Sequence, residues 1–125
     1  MTTLPAARLL ASTRNQLGEN PLWDAARRTL FWTDITAGEI HAWDEAAGAV
    51  RKLYSGPMVG GFTLEADGAL LLFRINDLAR LDPATGDCRA LRPFRDGGTQ
   101  RFNDVMADPA GRVYAGTIGQ DAQSG

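Results

Sequence analysis

Trp23-Asp24-Ala25-Ala26-Arg27-Arg28-Thr29-Leu30-Phe31-Trp32 reads as an aspartate-based turn that opens into an apolar strand. The same arrangement returns as Ala66-Asp67-Gly68 before Leu70-Leu71-Leu72-Phe73, and again as Ala107-Asp108-Pro109-Ala110-Gly111 before Val113-Tyr114-Ala115. Asp24, Asp67 and Asp108 are spaced 43 and 41 residues apart. A second repeat runs alongside the first. Ile40-His41-Ala42-Trp43-Asp44-Glu45-Ala46-Ala47-Gly48 matches Leu78-Ala79-Arg80-Leu81-Asp82-Pro83-Ala84-Thr85-Gly86, with Asp44 and Asp82 separated by 38 residues. In each copy an Asp-x-x-x-Gly turn joins two strands. The carboxylate bonds backbone N–H groups in the turn, and the glycine takes a positive φ at little cost.

Each unit therefore holds about four short strands joined by hairpins. The middle strands are apolar on nearly every residue, the mark of a strand covered on both faces. No segment carries a sustained helical period. Four-stranded units of about 40–45 residues, stacked face to face, are the blades of a β-propeller. The fold class predicted is all-β: about three blades of a propeller, forming an incomplete ring. A ring needs at least four blades, or roughly 160 residues. At 125 residues the chain is expected to expose at least one apolar blade face. It reads as a segment of a longer protein, or as one that completes a ring by self-association, for example two copies paired about a two-fold axis.

At 44% hydrophobic and 22% charged residues the composition is that of a globular domain. The formal charge of −2 and the scattered arginines point to no nucleic acid and no membrane surface as partners. Cys88 is the only cysteine, which excludes an internal disulfide and a thiolate metal cluster. It opens a strand and has no basic or histidine partner at a recognisable spacing, so it reads as a packed or half-exposed thiol rather than a nucleophile. The apolar run Ala69–Phe73 is too short to span a bilayer, and residues 1–12 make a poor signal peptide. A cytoplasmic location is expected.

Counting five residues back from the three repeated aspartates reaches Glu19, Phe62 and Asn103. Equivalent positions in a radial repeat face one axis, so Glu19 and Asn103 are expected to converge although far apart in sequence. A carboxylate and an amide carbonyl suit a hard divalent cation, with Ca²⁺, Zn²⁺ and Mn²⁺ all compatible. The structural alternative is that Glu19 caps a turn and Asn103 stabilises a loop. Phe62, after Gly60-Gly61, forms either an apolar wall of the site or part of the core. Arg101 lies two residues before Asn103, so on a strand both point to one side. Its guanidinium either binds a substrate oxygen or forms an ion pair with Asp104 or Asp96. His41, the only histidine, reads as a surface residue away from the axis. With no second histidine and no serine elbow, a hydrolase triad within the chain is not expected.

These residues resemble the senescence marker protein/gluconolactonase/luciferin-regenerating enzyme family, the regucalcin-like six-bladed propellers. The matching stretches are Leu17-Gly18-Glu19-Asn20-Pro21-Leu22-Trp23-Asp24, Leu30-Phe31-Trp32-Thr33-Asp34-Ile35, Asp82-Pro83-Ala84-Thr85-Gly86, and Arg101-Phe102-Asn103-Asp104 through Asp108-Pro109-Ala110-Gly111-Arg112-Val113-Tyr114-Ala115-Gly116-Thr117. They cover the chain from about Leu17 to Thr117. The resemblance implies that residues 1–125 are the N-terminal segment of one gluconolactonase-like propeller domain. It implies hydrolysis of a small-molecule sugar lactone at one divalent cation.

The residue matching Glu19 is a metal ligand in that family, and those matching Arg101 and Asn103 bind substrate, with the asparagine close to the metal. The family's remaining ligands, an Asn and an Asp taken as general base, come from later blades absent here. No catalytic residue is therefore expected within this chain, and the chain alone is expected to hold an incomplete metal shell. Asp121 lies near the place of another acidic substrate contact in some members, but its surroundings differ and the role is not carried over. The alternative to an enzyme is a non-catalytic metal- or ligand-binding propeller, or an interaction module on the same scaffold.

Overall fold

The computed structural model describes residues 1–94 and 100–119, with the side chain of Gln100 left aside. The described residues form an all-β architecture of ten strands in three antiparallel sheets. The first sheet contains β1 (Gly18–Asp24), β2 (Thr29–Asp34), β3 (Glu39–Asp44) and β4 (Ala49–Ser55), each paired with its neighbour in sequence. The second repeats that meander with β5 (Val59–Leu64), β6 (Leu70–Arg74), β7 (Asp77–Leu81) and β8 (Cys88–Pro93). The third holds β9 (Gln100–Ala107) and β10 (Val113–Gly119). These are the first blades of a propeller whose ring is open.

The hairpin turns follow from their aspartates. Asp44 Oδ1 accepts the Ala47 N–H at 2.7 Å, and Asp82 Oδ1 accepts the Ala84 N–H at 2.8 Å. Each turn ends on a glycine with positive φ, 61° at Gly48 and 78° at Gly86, a conformation that a Cβ would strain. Asp108 closes the β9–β10 hairpin by accepting the N–H groups of Ala110 and Arg112, both at 2.9 Å. The Arg112 backbone and guanidinium bonds hold its carboxyl below the usual carboxylate range.

The main core lies between the first two blades. Phe31, Ile40, Ala42 and Leu53 of one sheet interleave with Phe62, Leu70, Leu72, Ala79 and Leu81 of the next. Alternation along β6 sends Leu72 to this core and Phe73 to the opposite face, where Phe73 meets Phe102 and Val105 of β9. The Phe73 and Phe102 rings meet edge to face with centroids 5.0 Å apart. Strand β6 is thus covered on both sides, as its unbroken apolar run predicts. Strand β2 is sealed on one side only: Phe31 and Thr33 are buried, whereas Leu30 and Trp32 are half-buried on the other face. Every residue of β10 is exposed, including Val113, Tyr114 and Ile118.

Of the two readings of Phe62, core packing holds: it is 0% exposed and belongs to the interblade core. One expectation is corrected: His41 is not a surface residue. It is half-buried in β3, with Nε2 2.9 Å from Glu39 Oε2 and its ring stacked on Trp32 at 5.5 Å. The apolar Trp32 beside it in the β2–β3 register accounts for that burial. Lys52 also binds Glu39 and is the larger cause holding that carboxyl below its ordinary range, with His41 adding to it.

Candidate functional site

The inner strands β1, β5 and β9 each carry a β-bulge. The ladders slip between Glu19 and Leu22 in β1, between Val59 and Gly61 in β5, and between Asn103 and Val105 in β9, opposite Gly116 and Ala115. A bulge bends its strand and re-aims the side chain beside it. In β1 and β9 the residue after the candidate side chain adopts a left-handed conformation, with φ 55° at Asn20 and 62° at Asp104. Asn and Asp tolerate that region best among residues with a Cβ. The sequences Glu19-Asn20 and Asn103-Asp104 are therefore two copies of one backbone device.

This device brings Glu19 and Asn103 to a shared cleft of about 530 Å³, lined also by Asn20, Pro21, Asp104, Val105 and Met106. The convergence expected from the repeat is present. Glu19 and Asn103 are half-buried and Asp104 is exposed. Arg101 and Asn103 share a side of β9. Arg101 Nη1 donates to Asn103 Oδ1 at 3.2 Å and to the Phe102 carbonyl at 3.0 Å. Among the described residues Arg101 forms no ion pair with Asp104. Asp96 and Asp121 lie outside the described residues.

The second blade breaks the pattern for a reason visible in its ladder. Glu65 N–H bonds the Ala69 carbonyl just as Asp108 N–H bonds that of Arg112, both at 2.8 Å. Glu65, not Asp67, thus stands where Asp108 stands, and five residues back from Glu65 lies Gly60 rather than Phe62. A Cβ on Gly60 would sit 1.8 Å from the Phe102 carbonyl oxygen, and one on Gly61 would sit 2.9 Å from Val105 N. The paired glycines let the β9 backbone lie directly against β5.

Sequence reasoning missed Asn20. Its Nδ2 donates to the Phe62 carbonyl at 3.1 Å, and its Oδ1 accepts the Val105 N–H at 3.3 Å. One carboxamide from the first blade thereby joins the inner strands of the second and third. Only its place between Glu19 and Pro21 marked it in the sequence. Asp34 was also missed. It is 3% exposed and accepts the N–H groups of Gln16 and Leu17 at 2.8 and 2.9 Å, anchoring the segment that leads into β1.

The Glu19 carboxylate fits an oxygen-loving divalent cation, while the Asn103 carbonyl already accepts from the Arg101 guanidinium, so the cleft offers a partial shell. No group of three or more His, Cys, Asp or Glu side chains is placed to hold a metal ion among the described residues. Cys88 lies apart from the cleft, exposed at the start of β8, with Sγ 3.9 Å from Arg74 Nη1. Local desolvation pushes its thiol upward, which disfavours the thiolate. Among the described residues no helix is long and apolar enough to cross a membrane.

Comparison with known proteins places these features in context. Residues 17–125 match the family described as SMP-30/Gluconolactonase/LRE-like region. Pentonolactonase XacC of Haloferax volcanii is 38% identical over 117 residues, covering 93% of this chain and 39% of its own length. The 6-deoxy-6-sulfogluconolactonase of Pseudomonas putida is 35% identical over 106 residues, covering 83% and 36%. Chicken (Gallus gallus) regucalcin is 33% identical over 113 residues, covering 90% and 38%. Among solved structures, the calcium-binding protein regucalcin of Agrobacterium tumefaciens superposes with a TM-score of 0.84 at 29% identity, over 94% of this chain and 40% of that one. The chain spans about 40% of the length of these relatives.

Proposed function

Because the chain belongs to the SMP-30/gluconolactonase/LRE-like family, we propose that it is the N-terminal part of a metal-dependent sugar-lactone hydrolase. Glu19 supplies a carboxylate ligand to one divalent cation, and Arg101 and Asn103 bind the lactone. The observation that carries this reading is the convergence of Glu19 and Asn103, from β1 and β9, on one cleft. Two of the relatives are lactonases by name, which favours a lactone as the substrate class.

Each side chain has a task that its chemistry suits. Glu19 would help hold the cation, which would supply Lewis-acid polarisation of the lactone carbonyl there. Glu19 offsets part of the cation's charge. Arg101, held by its bond to Asn103 Oδ1, presents its remaining N–H donors to ring hydroxyls or to the carbonyl oxygen. Asn103 keeps its own NH₂ group for a further hydroxyl. The cleft is open, so orientation rather than enclosure is what these residues provide.

A second reading, ligand binding without turnover, is favoured by the Arg101–Asn103 pair itself, a polar platform for polyols that needs no metal. Thermal melting of the 1–125 chain with Ca²⁺, Zn²⁺ or Mn²⁺, followed by a lactone hydrolysis assay, separates the two. The hydrolase reading expects a metal-dependent rise in Tm that disappears in Glu19→Ala. A melt indifferent to metal, with an aldonolactone still raising Tm in wild type but not in Arg101→Ala, selects the binding module.

A further inference from the structure

Strands β5 and β9 pair with β6 and β10 on one side only, which leaves backbone groups on their inner edges in need of partners. Asn20 satisfies two of them, the Phe62 carbonyl and the Val105 N–H. An asparagine side chain is suited to this because it carries a donor and an acceptor on one planar group. Its left-handed backbone, φ 55°, turns the side chain across the inner ends of the sheets, and few other residues adopt it cheaply. Val105 is two residues from Asn103, and Asn20 adjoins Glu19.

We propose that Asn20 is a positioning residue that sets the separation of Glu19 and Asn103 by tying the inner strands of three consecutive blades. The inference rests on the metal and substrate roles given to those two residues above, but its geometry is testable without either. One bond of the carboxamide ends on Val105, two residues from Asn103 in β9, and the other on the Phe62 carbonyl of β5, the strand against which β9 lies. Loss of the carboxamide frees β1 from β9, and with it the spacing across the cleft. Asp at this position keeps the acceptor for Val105 N–H and sets a negative charge against the Phe62 carbonyl. Gly keeps the backbone conformation and removes both bonds.

The test is a spin-label distance measurement on the full chain. Nitroxides are placed at Ala25→Cys and Ala110→Cys, both on exposed hairpin turns, in a Cys88→Ala background. The expected result is one narrow distance distribution with Asn20 present, and at least a doubling of its width in both Asn20→Gly and Asn20→Asp. Ile40→Val, a core change remote from the cleft, is the destabilised control and keeps the narrow distribution. A distribution in Asn20→Gly or Asn20→Asp that superimposes on the parent overturns the inference. Mn²⁺ titration of the same proteins reports on the other reading. Widened distances with no Mn²⁺ binding to the parent uphold Asn20 and sink the metal site. Unchanged distances with Mn²⁺ bound tightly by the parent do the reverse.

Discussion

Asp24 is 3% exposed, and its carboxylate closes the first hairpin with three bonds. It accepts the N–H groups of Ala26 and Arg27 at 3.0 and 3.3 Å and the Arg27 guanidinium at 2.7 Å. Burial pushes its pKa up, but the Arg27 side chain and the two backbone donors outweigh it and leave the value lowered. The sign of the linkage follows. A carboxyl lowered on folding contributes stability above its unfolded pKa of about 3.9, and that contribution disappears as pH falls through the lower folded value. Asp24→Ala is expected to cost about 2–3 kcal/mol at neutral pH. Asp24→Asn should flatten the loss of stability below about pH 4 relative to wild type. Urea midpoints measured between pH 2.5 and pH 7 check both, and an Asp24→Asn protein with an unchanged acid limb removes Asp24 from the account. At this scale the sequence was most legible where a side chain acts on its own turn, as Asp24, Asp44 and Asp82 do. Asn20 was illegible because both of its partners lie in other blades.

Among the elements, the three inner strands share a bulge, and β5 shows why glycine occupies its own. A methyl group at Gly60 meets the Phe102 carbonyl at 1.8 Å, and backbone atoms there cannot step aside as a side-chain tip would. Gly60→Ala is expected to destabilise the chain by about 3 kcal/mol. It should also loosen the Phe73–Phe94–Phe102 aromatic contacts. A chemical denaturation curve and the near-ultraviolet circular dichroism of those rings test this, and a variant within about 0.5 kcal/mol of wild type refutes it. The strand order was readable from hairpin spacing, because each connection is short and local. The facing of β5 was not. Its aspartate sits at the tip of the turn, two residues beyond the position that Asp108 fills, and only the hydrogen-bonded ladder exposes that offset. A count from Asp67 therefore lands on Phe62, one of the most deeply buried residues, instead of on the glycine that faces β9.

Across the whole molecule, order is distributed unevenly. The first two blades share one large apolar core, whereas the third touches them through a small cluster around Phe73, Phe102 and Val105. Hydrogen exchange by NMR should show the slowest amides in β2 and β6, with those of β10 exchanging roughly 100-fold faster or more. Uniform protection over all ten strands would contradict this gradient. The repeat length disclosed the propeller and the open ring from sequence alone, because blade stacking depends on a pattern many residues long. The imbalance between blades was hidden, since it depends on which face of each strand finds a neighbour. The joint holding these blades together must also survive chemical ageing. Asparagines deteriorate when the next residue's backbone nitrogen attacks the carboxamide, closing a succinimide that reopens as aspartate. Asn20 is followed by Pro21, whose ring nitrogen bears no hydrogen and cannot complete that attack. Asn103, followed by Asp104, has no such shield, so ageing of this kind is expected at Asn103 before Asn20.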